Sequence, residues 1–261
     1  MDPASLIGLV LVLIGVFVGA IMKHVSPAAL FSVPAAFLIV IVASIGAAMM
    51  SNTMAVAKKL PTYVLKGIKG QKAPETAAAI DQIVSFAERA RREGLLSLES
   101  ELDSIDDPFF KRGLQLAIDG GDPDIVAEVM EADVKSMSDR HKAGSKYMMS
   151  IGIFSPTFGI IGAVFGLIAT MAHLDDPSKL GSGIGAAFVA TFWGVFLANG
   201  IFLPIANKLT AMSAEEIAYK RMIIEGVLSI QAGANPRMLD DLLRSTLPPK
   251  ERGSEDERRS A

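Results

Sequence analysis

No acid or base interrupts any of the four long apolar runs of this chain, and its 261 residues include no cysteine. The first absence means that these runs hold no group able to take up and release a proton, so they cannot relay protons alone. The second removes disulfides, thiolate metal sites and cysteine nucleophiles. Histidine is scarce too. His24, His141 and His173 are scattered and lie outside the cores of the apolar runs, so no metal site is expected. A net charge of -3 provides no basic field for nucleic acid. The opening Met1-Asp2-Pro3-Ala4 lacks the basic stretch that begins a cleavable signal peptide, so the first run reads as a retained span.

What is present is apolar: 51% of residues are hydrophobic and 20% charged, which is unusual for a soluble domain. A bilayer core needs about 20 apolar helical residues. Leu6 to Met22, Ala28 to Met50, Met148 to Ala172 and Gly183 to Ala206 each approach or exceed that length. The expected fold is all-α: a polytopic membrane protein with four transmembrane helices and a large helical cytoplasmic domain. Lys23 and Lys179 are the basic residues of the two short connections, and every other Lys or Arg lies in Ser51 to Lys146 or after the last run. Basic residues stay on the cytoplasmic side. That places the long block, the tail and both termini inside the cell. The chain then divides into 1–50 (spans one and two), 51–146 (cytoplasmic block), 147–206 (spans three and four), 207–249 (a C-terminal helix) and 250–261 (a disordered charged tail).

The block carries helical periodicity. Ile80, Ile83, Val84 and Ala87 form one apolar stripe. Pro108 to Ile118 reads as a second helix, stopped by Gly120-Gly121. Asp122-Pro123 offers an N-cap with proline at the first helical position, and the pattern from Ile125 to Met137 then runs unbroken towards span three, which predicts one long helix. The tail from Lys208 to Leu243 has a similar apolar side, and no strand pattern is found. In the stretch from Arg89 to Asp103, positive charge precedes negative charge across Gly94. Sequence alone leaves two readings: a solvated face with local ion pairs, or a two-signed surface that orients a charged partner. No nucleophile triad, metal cluster or phosphate loop appears, so no enzyme and no cofactor are expected.

Spans three and four differ from the first two. Pro156, Gly159, Ala163, Gly166 and Thr170 recur at alternating three- and four-residue steps, as do Ala187, Thr191, Gly194 and Ala198. Lipid tails give helices no hydrophobic reason to associate, so stripes of small residues mark close backbone approach. They serve packing of span three against span four, or instead line a shared cavity or seat a foreign helix. Pro156 and Pro204 both fall in the cytoplasmic half of the membrane, where each removes a backbone hydrogen bond.

Five ordered stretches carry a resemblance: Arg91 to Glu99 (RREGLLSLE), Ser155 to Gly166 (SPTFGIIGAVFG), Ala190 to Gly194 (ATFWG), Phe202 to Ala206 (FLPIA) and Gly233 to Pro236 (GANP). With these the chain resembles the flagellar stator A-subunit family, MotA and its sodium-using relative PomA, over essentially Asp2 to Pro249. The resemblance implies a stator subunit of the flagellar motor in the bacterial inner membrane. It would form a proton channel with a B-type subunit that supplies an intramembrane Asp, as a homo-pentamer around a B dimer, and would act on a rotor switch protein. By matching position it implies that Pro156 and Pro204 are the functional prolines and that Arg91 and Glu99 face the rotor. Thr191 would line the ion path, with Ala163, Gly159, Gly166, Ala187 and Gly194 beside it or facing the B helix. Ala163 stands where sodium-driven relatives carry Thr. An alanine offers no oxygen to replace sodium's hydration shell, which favours protons. The related ExbB and TolQ energisers of outer-membrane processes are the alternative, though they typically have three spans.

Overall fold

The computed structural model describes residues 3–71, 75–249 and 252. Its elements are α1 (Pro3–Met22), α2 (Pro27–Phe31), α3 (Pro34–Phe37), a π-turn (Leu38–Val42), α4 (Ala43–Met50), α5 (Met54–Ala57), α6 (Leu60–Lys69), α7 (Thr76–Glu93) and a 3-10 segment (Leu95–Ser104). They continue with α8 (Pro108–Ile118), α9 (Pro123–Met171), α10 (Pro177–Leu197), a second π-turn (Ala198–Phe202), α11 (Leu203–Gln231) and α12 (Pro236–Arg244). No strand occurs among the described residues. The expected tail at 250–261 lies outside them, apart from Arg252.

The chain forms two units, one of Met1–Gln71 with Arg140–Met212 and one of Lys72–Asp139 with Ser213–Ala261. Among the described residues, three helices are long and apolar enough to cross a membrane: Pro3–Met22, Pro123–Met171 and Lys179–Gln231, the last counted through its π-turn. The second expected span, Ala28 to Met50, is not one helix. It breaks at Ser32-Val33, and the apolar stretch Pro34–Met50 that follows is shorter than these three. At 1.5 Å per residue it reaches about 26 Å, just under the bilayer core. Proline explains the break. Val33 adopts φ -115° and ψ 82°, away from the helical region that a following proline disfavours. Pro34 has no N–H for the carbonyl of Leu30, and the indole of Trp193 supplies the missing donor at 2.7 Å. Around that indole pack Phe37, with a centroid separation of 4.5 Å, Phe31 at 5.1 Å and Phe196 at 5.6 Å.

Helix α1 buries none of its residues in this chain. It ends in a Schellman turn: Val25 N–H donates to Ala20 O and His24 N–H to Ile21 O, both at 2.9 Å, with His24 at φ 58° where glycine is usual.

The second unit is a helical core of its own. Ile80, Ile83, Phe86 and Ala87 of α7 are buried, while Val84 is half-buried beside them. The next helix matches its expected bounds, Pro108–Ile118, because Asp107 caps it by accepting from Phe109 N at 2.8 Å and Pro108 needs no donor there. Asp122 does the same for α9, accepting from Asp124 N at 2.9 Å. The expected long helix is present as the 49 residues of α9. The expected single C-terminal helix over 207–249 is not: α11 ends at Gln231, Gly233 takes φ 67°, and Asn235 starts α12 by accepting from Arg237 N at 3.0 Å. Arg244 then holds α12 in place through Asp240 at 2.7 Å and through Asp81 of α7.

Candidate ion-path and rotor-facing sites

The membrane candidates belong to the first unit. Helices α9 and α10 run antiparallel there with almost no side chain between them. A Cβ placed on Gly159 would sit 3.0 Å from Ala190 O and 3.1 Å from Gly194 Cα. One on Gly166 would sit 3.0 to 3.1 Å from the N, Cα and Cβ atoms of Ala187, and one on Gly194 would sit 2.7 Å from Ser155 O. Further along, a Cβ on Gly183 would strike Thr170. Gly159, Gly166, Ala187 and Gly194 are therefore taken up by contact between two helices of the same chain, the plainer of the two uses of a small-residue stripe. None of the four keeps an open side for a foreign helix on that face.

Ala163 and Thr191 differ from these four. Both are half-buried. The register that sets Gly159 against Gly194 and Gly166 against Ala187 brings Ala163 level with Ala190, the neighbour of Thr191. The Thr191 hydroxyl donates to Ala187 O over 3.4 Å, a long bond that leaves the oxygen free to accept. By contrast Ser155, fully buried, is firmly held by Ile151 O at 2.7 Å. Thr191 thus keeps a hydroxyl oxygen that can accept, whereas Ala163 brings only a methyl group.

The prolines are accommodated differently. Pro156 lies inside α9, which continues through it. The absent N–H leaves the Gly152 carbonyl without its helical partner. Gly152 itself is where Leu203 approaches, since a Cβ there would lie 2.8 Å from the Leu203 side chain. Pro204 is the second residue of α11, two positions after the π-turn Ala198–Phe202 ends, and is exposed. A π-turn hands each carbonyl to the N–H one residue further on. A carbonyl facing a proline nitrogen needs that shift. Both π-turns and the Trp193 to Leu30 bond escaped the sequence reading. Pro34, four residues after Leu30, was the available signal for the latter. Asn199 was missed as well: it is an exposed amide within span four, donating to Val195 O at 3.0 Å.

The rotor candidates belong to the second unit. Arg91 lies in the last turn of α7, and Gly94 ends that helix at φ 86°. The chain then enters the 3-10 segment that carries Glu99. The surrounding charges pair among themselves. Arg89 bonds Glu93 at 3.1 Å and also Glu101, while Arg92 lies 3.9 Å from Glu88. Arg91 and Glu99 are exposed, and neither makes an ion pair with another described residue. The reading as a solvated face with local ion pairs thus holds for Arg89 and Arg92, while Arg91 and Glu99 stand as unpaired surface charges. Nearby, Lys111 bonds Asp103 at 2.8 Å and holds its carboxyl below the ordinary aspartate value. Burial, together with Asp107, raises the Tyr219 hydroxyl.

Residues 101–222 match the MotA/TolQ/ExbB proton channel family, and residues 6–94 match the N-terminal region of motility protein A. Motility protein A of Bacillus subtilis (strain 168) is 40% identical over 252 residues, which cover 97% of this chain and 93% of that one. The fold is similar to that in the structure of C. jejuni MotAB, with a TM-score of 0.92 and 32% identity over 98% of this chain and 100% of the other. It is also similar to that in the flagellar MotAB stator complex from Bacillus subtilis, with a TM-score of 0.90 and 39% identity over 96% of this chain and 98% of the other.

Proposed function

The chain belongs to the MotA/TolQ/ExbB proton channel family in its motility protein A branch, and we propose on that footing that it is the membrane-embedded A subunit of a bacterial flagellar stator. With a B subunit it forms a channel that converts ion flow into torque on the rotor, a role outside enzyme catalysis. The observation that carries this reading is the pairing of apolar spans free of charged residues with a fold matched at 0.92 and 0.90 to stator complexes. Several apolar helices and no titratable side chain in their spans call for a proton-binding carboxylate from a companion chain.

The finer reading is as follows. Copies of this chain, five of them, surround a B dimer in the inner membrane with both termini cytoplasmic. A proton entering from outside neutralises the B subunit's Asp and changes its desolvation cost against the A helices. Thr191 and Ala163 line that position. Each charge crossing 100 mV releases about 2.3 kcal/mol. The missing bond at Pro156 and the π-turn before Pro204 let the cytoplasmic half of the spans flex as the ring steps, and Arg91 and Glu99 present that step to the rotor. Ala163, with no oxygen to offer, supports protons over sodium.

The test is charge reversal with rescue. Arg91→Glu and Glu99→Arg should each stop swimming while the stator still assembles in the membrane, and compensating reversals on the rotor protein should restore it. Normal swimming in both single variants would contradict the rotor-facing assignment.

A further inference from the structure

The membrane unit holds a second feature that the stator reading does not use. A cavity of about 740 Å³ opens between the end of α1, the α2 segment and the first half of α10. Val16, Ala20, Leu30, Phe188, Val189 and Phe192 form its apolar walls. Lys23 is the one charged side chain lining it. Lys179, the other basic residue of the short connections, is engaged by Asp176 at 3.4 Å, whereas Lys23 has no ion-pair partner among the described residues. The two hydroxyls in the lining, Ser32 and Ser182, already donate to Ala29 O at 2.7 Å and to Lys179 O at 3.0 Å. No lining group repels an anion.

We infer that this groove is a phospholipid site, taking an acyl chain along its apolar walls and an anionic headgroup phosphate at Lys23. The volume suits one flexible chain. Apolar cavities of this kind are poor places for water. The cation stands just past the last residue of α1, Met22, where the apolar run stops. If α1 spans the bilayer, as the proposed function holds, that is headgroup depth. An ammonium there recognises phosphate as a point charge and does not select among headgroup shapes. The walls also have room: a Cβ added to Gly19 or to Gly185 would meet nothing within 4 Å.

The full chain, purified with its B subunit in detergent, is the material for the test. Dipalmitoyl phosphatidylglycerol and phosphatidylcholine of the same chains are the probes, and bound lipid is counted by native mass spectrometry. Phosphatidylglycerol should be retained in preference. In Lys23→Gln its advantage should fall about fivefold, the factor that ~1 kcal/mol per basic residue at an anionic surface corresponds to. Gly185→Leu, which fills the groove from an open position, should lose both lipids. The assignment is overturned if the wild-type complex retains neither lipid, if it retains the two equally with no effect of Lys23→Gln, or if Gly185→Leu binds as wild type. It is also overturned if a lone cysteine from Gly185→Cys cross-links to the B subunit or to a second copy in place of a lipid probe. An impermeant amine reagent separates this failure from that of the stator reading. Lys23 labelled only from the cytoplasmic side would sink the topology. Lys23 labelled from outside equally with and without bound phosphatidylglycerol would sink the groove alone.

Discussion

Gly194→Ala is the sharpest perturbation of the membrane unit. The new methyl would lie 2.7 Å from Ser155 O, 3.0 Å from Gly159 Cα and 3.2 Å from Pro156 Cα. All three are backbone atoms of α9, so no side chain can swing aside. Reaching an ordinary contact requires α9 and α10 to part by about 0.7 Å, and the close approaches at Gly159 and Gly166 would loosen with them. Overpacking of this kind costs about 1–3 kcal/mol. At about 2–4 °C per kcal/mol for a chain of this size, the melting temperature should fall by roughly 2–12 °C. The assay is built in: Trp193, the sole tryptophan, is buried beside the substituted position, and its fluorescence reports the unit directly. Gly46→Ala is the control, since a Cβ there meets nothing within 4 Å. It should be neutral, or stabilising by up to about 1 kcal/mol through helix propensity. Equal melting of Gly194→Ala and wild type, or equal damage from Gly46→Ala, would refute the packing argument.

Trp193→Phe keeps an aromatic ring but removes the donor from Leu30 O, and should destabilise by about 1–3 kcal/mol in the same melting assay. Asp107→Ala removes the cap of α8 and should cost about 1 kcal/mol, read by denaturant unfolding of the purified protein. Asp103 has a folded-state value below its unfolded one, so its contribution is present above the unfolded value and fades as pH falls through the folded value. In Lys111→Ala its titration, followed by carboxyl NMR, should return to the ordinary aspartate range. Pro156→Ala should insert and assemble normally but fail to swim, whereas normal swimming would contradict the flexing role.

The parts of this fold that were legible in sequence share a cause: local chemistry decided them. Asp122-Pro123 begins its helix, Gly120-Gly121 ends the one before it, and the stripe at Ile80, Ile83 and Ala87 faces the core. The run to Met171 had no breaker strong enough to stop it. What stayed hidden depended on partners distant in sequence. Span two was read as continuous because Ser32, Val33 and Pro34 look tolerable within an apolar run. The break is held by an indole 163 residues away. The C-terminal helix was read through Gly233-Ala-Asn-Pro236 because the apolar side resumes beyond it, although those four residues carry a turn and a cap. The small-residue stripes were visible, but not which surface they face. The structure assigns Gly159, Gly166, Ala187 and Gly194 to contact between α9 and α10, and leaves Ala163 and Thr191 as the ion-path candidates. In the charged stretch from Arg89 to Asp103 the residue types are plain in sequence, while the pairing that occupies Arg89 and leaves Arg91 without an ion pair required coordinates.

On the proposed function, this chain conducts protons only with a carboxylate lent by a companion chain. Proton flux into sealed vesicles under an imposed potential tests it most directly, with the chain reconstituted alone and together with its B subunit. Flux is expected from the pair and none from this chain by itself, and the pair's flux should be lost when an intramembrane Asp of the B subunit is replaced by Asn. Brisk flux from the chain alone would contradict it.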